Sequence, residues 1–188
     1  MAMESTMLAL GTPAPAFDLP DTVGGGHVRL EGLTAKALVV MFICNHCPYV
    51  KHIQSGLAEF GRDYADADVD IIAIGSNDAD NYPDDSPELL GSVSKELGYT
   101  FPVLYDETQD VAKAYTAACT PDFFLFDADH ALVYRGRFDE SRPNSGVPVT
   151  GADLRGALDA VLAGSPLPDT QFPSMGCGIK WKPGNEPG

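Results

Sequence analysis

The fold is decided by residues 39–50, VVMFICNHCPYV, in which five apolar residues lead into Cys44 and a second cysteine, Cys47, follows three residues later. An apolar run of this length, rich in β-branched and aromatic residues, is typical of a buried strand. Apolar residues then recur at helical spacing from Val50 to Tyr64, which predicts a helix directly after the cysteines. Cys44 is therefore expected where a strand ends and a helix begins.

This junction favours redox chemistry. The start of a helix offers unpaired backbone N–H groups and the positive end of the helix dipole, and both stabilise a thiolate. Cys47, one turn on, is close enough to close a small disulfide ring. A structural zinc site is the sharper rival because His46 and His52 lie nearby, but zinc usually takes four ligands, and the sequence has no second Cys-x-x-Cys. We predict a redox dithiol and no metal, with inert cysteines as a further alternative.

Composition limits the classes of function. The chain has 188 residues, 44% of them hydrophobic and 21% charged, which is ordinary for one globular domain with a sizeable core. Its net charge of −15 disfavours nucleic acid and anionic membranes as partners. No apolar stretch approaches the length of a membrane-spanning helix. The first residues lack a basic segment before their few apolar residues, so we expect a cytoplasmic protein, where a Cys-x-x-Cys is more often catalytic than structural.

The segments around the cysteines predict strands and loops. Residues 1–33 are interpreted as an N-terminal extension, because prolines exclude a helix and Gly24 to Gly26 predict a turn between short edge strands. Residues 69–75 predict a second buried strand. The acidic segment 77–85 is interpreted as a solvated loop, with weak cation binding as the alternative.

The second half of the chain predicts a helix, a hairpin and a last helix. Ser86 and Pro87 begin a helix that Gly98 ends, because they supply a capping hydroxyl, a proline at the first position and a C-terminal glycine. A short strand is predicted at residues 101–105 and a helical turn at 108–116. The two strands of a hairpin follow at 119–127 and 132–138, and a last amphipathic helix at 154–162. Residues 165–188 form a loop-like tail. Parallel strands with helical crossovers are expected first, and an antiparallel hairpin second.

This order of elements, with a strand that ends in Cys-x-x-Cys, resembles the thioredoxin fold. Residues 11–21, GTPAPAFDLPD, look like the opening segment of its redoxin (AhpC/TSA-like) branch, which includes peroxiredoxins and cytochrome-maturation thioredoxins. Residues 44–51, CNHCPYVK, and 173–181, PSMGCGIKW, are similar to a thioredoxin-family subfamily with the Cys-Asn-His-Cys-Pro-Tyr motif. The resemblance implies a single α/β domain over residues 1–188, with a central mixed β-sheet flanked by helices.

The resemblance also implies roles for the residues of the motif. Cys44 is the attacking cysteine and Cys47 the resolving one, and His46 stabilises the Cys44 thiolate, the alternative being an exposed histidine that only fills the turn. A peroxiredoxin's Pro-x-x-x-Thr-x-x-Cys, aligned on Cys47, would need threonine at Cys44 and proline at Val40. Both are missing. The usual peroxide-activating arrangement is therefore not expected.

Thr120 and Pro121 match the threonine and cis-proline that face the dithiol in thioredoxins. A cis bond would leave the Thr120 backbone free to pair with an extended substrate chain, and an ordinary trans proline at a strand start is the alternative. Cys119 is expected to be a buried core thiol. Cys177 is either a packed anchor of the tail beside Trp181 or a third redox cysteine.

The leading hypothesis is a thiol–disulfide oxidoreductase that needs no cofactor. It would act on protein or low-molecular-weight disulfides and be restored by a reductant that the sequence does not identify. A second hypothesis is a thiol peroxidase in which Cys44 or Cys47 attacks a hydroperoxide. A third, from another class, is a non-catalytic module that binds a metal or a partner through Cys44, His46 and Cys47.

Overall fold

The structure is a computed structural model and describes residues 2–188. The strands in this part of the chain are β1 (Ala2–Glu4), β2 (Asp18–Pro20), β3 (His27–Arg29), β4 (Ala37–Phe42), β5 (Val69–Gly75), β6 (Val103–Tyr105), β7 (Cys119–Thr120), β8 (Asp122–Phe126), β9 (Leu132–Gly136) and β10 (Met175–Gly178). The α-helices are α1 (Pro48–Asp63), α2 (Pro87–Leu97), α3 (Asp110–Ala114) and α4 (Ala152–Ala163).

The main sheet has five strands in the order β6-β5-β4-β8-β9. Strands β4, β5 and β6 are parallel, whereas β8 is antiparallel to β4, and β9 is antiparallel to β8. Strand β4 lies at the centre, so all six of its residues are buried and its apolar run has no polar interruption. The predicted mixed sheet, with parallel strands first and a hairpin second, is confirmed.

Alternate residues of β4 face opposite layers of the core. Val39 and Met41 pack into the cluster that contains the buried residues of α1 and α4. Leu38 and Val40 pack into the cluster formed with α3 and the N-terminal segment. A strand turns successive side chains to opposite faces, so one continuous apolar run supplies both layers. The helices therefore lie on both sides of the sheet, and β4 lies between the two layers.

The two ends of the chain meet beside the main sheet. Strand β10 pairs antiparallel with β1 on one side and with β7 on the other, in a small sheet of order β1-β10-β7. The sequence predicts a loop-like tail, and this expectation is wrong for β10. The pattern hides the strand because Met175–Gly178 contains two glycines and no alternation of apolar and polar residues. The predicted N-terminal hairpin is confirmed as β2 and β3.

Among residues 2–188, none of the helices combines the length and the hydrophobicity that a membrane crossing requires.

The close approach of β10 to β7 yields a first prediction. A Cβ atom at Gly176 would lie 1.9 Å from the backbone oxygen of Thr120, so Gly176→Ala must push the two strands apart. We expect the free energy of unfolding to fall by about 1–3 kcal/mol, the usual cost of overpacking. Thermal and denaturant unfolding followed by circular dichroism measure it.

Gly156→Ala is the matched control. Gly156 lies inside α4, and a Cβ atom there meets nothing within 4 Å. Alanine should stabilise the helix by about 0.5–1 kcal/mol. If Gly176→Ala were as stable as Gly156→Ala, β10 would not be held against β7 as closely as described.

Candidate active site

The two cysteines of the motif lie in the loop between β4 and α1. Strand β4 ends at Phe42, and α1 begins at Pro48 with Cys47 as its N-cap. The sequence predicts Cys44 at the junction of the strand and the helix, but Cys44 lies in the loop, four residues before the first helical residue. Proline is pre-organised for the first helical position and needs no N–H partner there, so Pro48 sets the start. Cys44 is 3% exposed and Cys47 is fully buried.

Both sulfurs meet at Thr120. Cys44 Sγ lies 3.3 Å from Thr120 Oγ1, and Cys47 Sγ lies 3.2 Å from the Thr120 carbonyl oxygen. The two thiols are close enough to shift each other's pKa. The Thr120–Pro121 peptide bond is cis, as the resemblance implies. The fold therefore brings the four residues Cys44, Cys47, Thr120 and Pro121 together from distant parts of the chain.

The surroundings of the two sulfurs shift their pKa values in opposite directions. Contact with the Cys44 thiol and then with Cys177 lowers the pKa of Cys47. Contact with Cys47, burial and the nearby Asp85 carboxylate raise the pKa of Cys44. The carboxylate therefore opposes the Cys44 thiolate that the sequence predicts.

Thr120 acts on Cys44 in the opposite direction. Its hydroxyl can donate to a Cys44 thiolate and thereby lowers the pKa of Cys44. Its carbonyl oxygen can accept a proton that has moved to Cys47. Thr120 is therefore arranged to stabilise the state in which Cys44 carries the charge and Cys47 the proton.

A buried carboxylate holds the loop that carries the cysteines. Asp85 is 1% exposed and accepts the backbone N–H groups of Asn45 at 2.7 Å and His46 at 3.2 Å. It also accepts the side-chain N–H of Asn77 at 2.9 Å and pairs with His46 Nδ1. Each carboxylate oxygen thus has two partners, which satisfies the charge in a buried site. Asp85 fixes the backbone directly after Cys44.

Sequence reasoning missed Asp85. The sequence predicts a solvated loop over residues 77–85, but Asn77, Asp78 and Asp85 are buried. The neighbouring Asp84 is exposed, so no local pattern distinguishes the two aspartates. The loop is buried because it packs against residues distant in sequence, which include Lys180 of the tail, whose N–H donates to Asn77 Oδ1 at 2.9 Å.

His46 is held between Asp85 and Tyr82. Its ring stacks on Tyr82 with centroids 5.3 Å apart, and 24% of its side chain is exposed. A ring nitrogen of His46 lies within 4.8 Å of Cys44 Sγ. The ring is directed at the carboxylate and does not merely fill a turn in solvent. It can act on Cys44 through its charge.

The same residues form a possible metal-binding set. Cys44 Sγ, a His46 ring nitrogen and an Asp85 oxygen lie within 4.8 Å of one another. Three such donors suit a zinc ion with an open fourth position. An ion there would compete with the N–H groups that Asp85 already accepts. This set shares Cys44 and His46 with the metal-binding alternative from the sequence, and Asp85 replaces Cys47.

Strand β10 of the tail pairs with the backbone of Thr120, which the sequence predicts to be free for a substrate. Cys177 of β10 is the strand partner of Thr120, so the expectation of a free Thr120 backbone is wrong. Cys177 lies close enough to Cys47 to lower the pKa of the Cys47 thiol. Cys119 is fully buried, and burial raises the pKa of its thiol, which confirms the expected core thiol.

A second buried carboxyl, Asp122, lies directly after Pro121. It is 1% exposed, and its Oδ2 has no hydrogen-bond partner among residues 2–188. Burial raises the pKa of Asp122 well above its usual range.

The charge distribution within the dithiol yields a second prediction. In Cys44→Ala, part of the ultraviolet thiolate absorbance should remain at neutral pH, because Cys177 still lowers the pKa of Cys47. In Cys47→Ala it should be absent at neutral pH, because Cys44 is buried beside Asp85. A pH titration of absorbance measures both.

Cys119→Ala is the control and should leave the titration unchanged, because the Cys119 thiol keeps its proton. The reverse pattern, with the thiolate retained in Cys47→Ala and lost in Cys44→Ala, would place the resting charge on Cys44.

Comparisons with known proteins agree with this site. The AhpC/TSA family pattern matches residues 10–135. "Thiol-disulfide oxidoreductase ResA" of Geobacillus kaustophilus is 29% identical over 125 residues, which are 66% of this chain and 67% of the relative. "Putative peroxiredoxin Rv2521" of Mycobacterium tuberculosis is 32% identical over 114 residues, 61% of this chain and 68% of the relative.

Solved structures agree on the fold. A conserved protein from Geobacillus kaustophilus is 58% identical, covers 97% of both chains and superposes with a TM-score of 0.96. The thioredoxin domain of a thiol-disulfide oxidoreductase from Bacteroides vulgatus, 21% identical over 72% of this chain and 90% of its own, superposes with a TM-score of 0.58 and shows the fold alone. The expected thioredoxin-like fold is confirmed, and the relatives support a redox function. The chain belongs to the AhpC/TSA family.

Proposed function

We propose that this protein is a thiol–disulfide oxidoreductase in which Cys44 and Cys47 alternate between a dithiol and a disulfide. The carrying observation is that both sulfurs contact the same residue, Thr120, which precedes a cis proline. Disulfide exchange needs a thiolate near neutral pH and a second sulfur that releases the mixed disulfide. A proton shared within one pair supplies both, because whichever sulfur is deprotonated leaves the other as a thiol.

Cys44 is the attacking cysteine in this proposal. It keeps slight exposure, whereas Cys47 has none. The proton of Cys44 passes to Cys47, and the Thr120 hydroxyl stabilises the Cys44 thiolate. This thiolate attacks one sulfur of a substrate disulfide, a Cys44–substrate bond forms, and the other substrate thiolate leaves with a proton from solvent.

Cys47 then completes the exchange. Having given up its proton, the Cys47 thiolate attacks Cys44 Sγ, so that the Cys44–Cys47 disulfide forms and the second substrate thiolate leaves and is protonated. The dithiol loses two electrons, and the substrate disulfide gains them as two thiols. A thiol reductant outside this chain restores the dithiol, and the same steps in reverse would oxidise a substrate.

His46 and Asp85 support the charge on Cys44. A protonated His46 offsets the Asp85 carboxylate, which otherwise opposes a thiolate at Cys44. His46 is a catalytic residue in this sense, since its charge lies within reach of the reacting sulfur. Asp85 is a positioning residue, because it acts through the backbone of Asn45 and His46.

The substrate contacts the Thr120 hydroxyl and Pro121. Because β10 already pairs with Thr120 and both sulfurs are buried, an extended protein chain has little access to this edge. Pro121 also lines a cavity of about 190 Å³ together with Tyr49 and His52. These features favour low-molecular-weight disulfides over protein disulfides.

The dithiol mechanism yields a third prediction. Mild oxidation followed by peptide mapping should find Cys44 crosslinked to Cys47, and a thiol reductant should reverse the bond. Cys47→Ser should accumulate a mixed disulfide at Cys44 when incubated with oxidised glutathione, because no neighbouring thiol resolves it. Mass spectrometry of the intact protein measures the adduct.

Cys119→Ala should behave like the unmodified chain in both experiments. Free and unreactive Cys44 and Cys47 after oxidation would contradict the proposal. A stoichiometric bound metal that protects Cys44 from alkylation would instead favour the metal-binding set of Cys44, His46 and Asp85.

A thiol peroxidase is the second candidate, and the relative named "Putative peroxiredoxin Rv2521" favours it. A peroxidase stabilises the charge that develops as the O–O bond breaks. The threonine and proline expected around a peroxidatic Cys47 are replaced by Cys44 and Val40. The Asp85 carboxylate beside Cys44 opposes further negative charge.

The fourth prediction is therefore weak peroxidase activity. We expect turnover with hydrogen peroxide at least about 100-fold below that of a dedicated peroxiredoxin, which is the effect of losing one prepared donor. Steady-state peroxide consumption with a thiol reductant measures it. Equal turnover would reverse the order of the two candidate functions.

A further inference from the structure

A third sulfur reaches the dithiol from the C-terminal tail. Strand β10 places Cys177 directly opposite Thr120, the residue that both Cys44 and Cys47 contact. The neighbouring Gly176 lies against Thr120 so closely that a Cβ atom would come within 1.9 Å of its backbone oxygen. Strand β10 is thus held against the site by backbone pairing on both of its edges.

The three sulfurs form a chain with Cys47 in the middle. Cys44 Sγ contacts the Thr120 hydroxyl, and Cys47 Sγ contacts the Thr120 carbonyl oxygen. Cys177 is the strand partner of Thr120 and packs against the cluster that contains both cysteines. Cys44 and Cys177 both shift the pKa of Cys47, so Cys47 has two neighbouring sulfurs with which it can form a disulfide.

We propose that Cys177 is a third redox cysteine that forms an alternative disulfide with Cys47. This inference rests on the proposed function, because it starts from the oxidised Cys44–Cys47 pair. Cys177 loses its proton, and its thiolate attacks Cys47 Sγ. The Cys47–Cys177 bond forms, the Cys44–Cys47 bond breaks, and Cys44 leaves as a thiolate that takes up the proton. One disulfide replaces another, so no further oxidant or reductant is needed.

The exchange changes which cysteine of the oxidised protein is free and which two segments the disulfide links. It returns Cys44, the more exposed of the two motif cysteines, to its thiol form. It also links β10 covalently to the start of α1, where Cys47 is the N-cap. The disulfide would then join Cys47 to Cys177 of β10, and the Cys44 thiol would be free to react again.

The rate of this exchange should depend on pH. Once Cys47 is in a disulfide its charge no longer acts on Cys177, but burial still raises the pKa of the Cys177 thiol, and Lys180 partly offsets this. The thiolate is the attacking form, so only a small fraction of Cys177 is reactive at neutral pH. Exchange should therefore accelerate about tenfold per pH unit until the pH reaches the pKa of Cys177.

Peptide mapping of the full chain tests the inference and is the fifth prediction. After oxidation with diamide and alkylation of free thiols, Cys44→Ser should contain the Cys47–Cys177 crosslink. Cys44→Ser/Cys177→Ser should lose it completely. Cys44→Ser/Cys119→Ala is the matched control and should retain it, because Cys119 is the other cysteine of this region but lies buried in the core.

The unmodified chain provides a test that needs no substitution. After brief oxidation at neutral pH it should contain Cys44–Cys47, and transfer to higher pH should convert a growing share to Cys47–Cys177. Cys177→Ser should retain Cys44–Cys47 alone at every pH.

The outcomes separate the two proposals. If Cys47 and Cys177 stay free in Cys44→Ser, and the unmodified chain forms only Cys44–Cys47 at every pH, Cys177 is overturned as a redox cysteine and the proposed function stands. If Cys47–Cys177 forms in Cys44→Ser but the unmodified chain never forms Cys44–Cys47, the proposed dithiol fails, and the exchange step fails with it.

Discussion

The site depends on the contacts that converge on Thr120. Its hydroxyl lies beside Cys44, its carbonyl oxygen beside Cys47, and its backbone pairs with Cys177. These contacts join the start of α1, the segment before β8 and the C-terminal tail in one place. A change at any of the three would alter the distances between the sulfurs, because interiors packed this closely transmit small displacements.

Two features set the charge around the sulfurs. The Asp85 carboxylate would be costly to bury alone, and its four N–H partners make it tolerable. These partners also lock the loop after Cys44, so the charge that opposes a Cys44 thiolate is the one that holds its backbone. Contact with the Cys44 thiol and with Cys177 instead favours a charge at Cys47. In the proposed mechanism, the proton of Cys44 therefore passes to Cys47 before Cys44 attacks a substrate disulfide.

The tail distinguishes this protein from the simpler arrangement that its motif implies. In that arrangement, the backbone of Thr120 is open to a substrate chain. Here β10 fills the position, and its glycines permit the close approach, because a side chain at Gly176 would overlap the Thr120 backbone. The edge that could bind a protein substrate is thus paired within the chain, and a cysteine is carried into the site with it. The sulfurs are therefore less accessible to a substrate. In the proposed exchange, Cys47 has two possible disulfide partners, Cys44 and Cys177.

Local patterns in the sequence were enough to predict the fold and to identify the pair of motif cysteines. The apolar run before Cys44 predicted a buried strand, and the helical spacing after Cys47 predicted α1 next to it, since both patterns follow from burial. Cys119 was also correctly predicted as a core thiol. The negative charge that faces Cys44 depends on the folded chain instead, because it is a carboxylate from another segment. Asp85 lies 40 residues from Asn45 and looks like its exposed neighbours in the sequence. The strand that carries Cys177 has no periodic pattern of its own, and pairing with β1 and β7 forms it, so its place beside Cys47 exists only once the chain has folded.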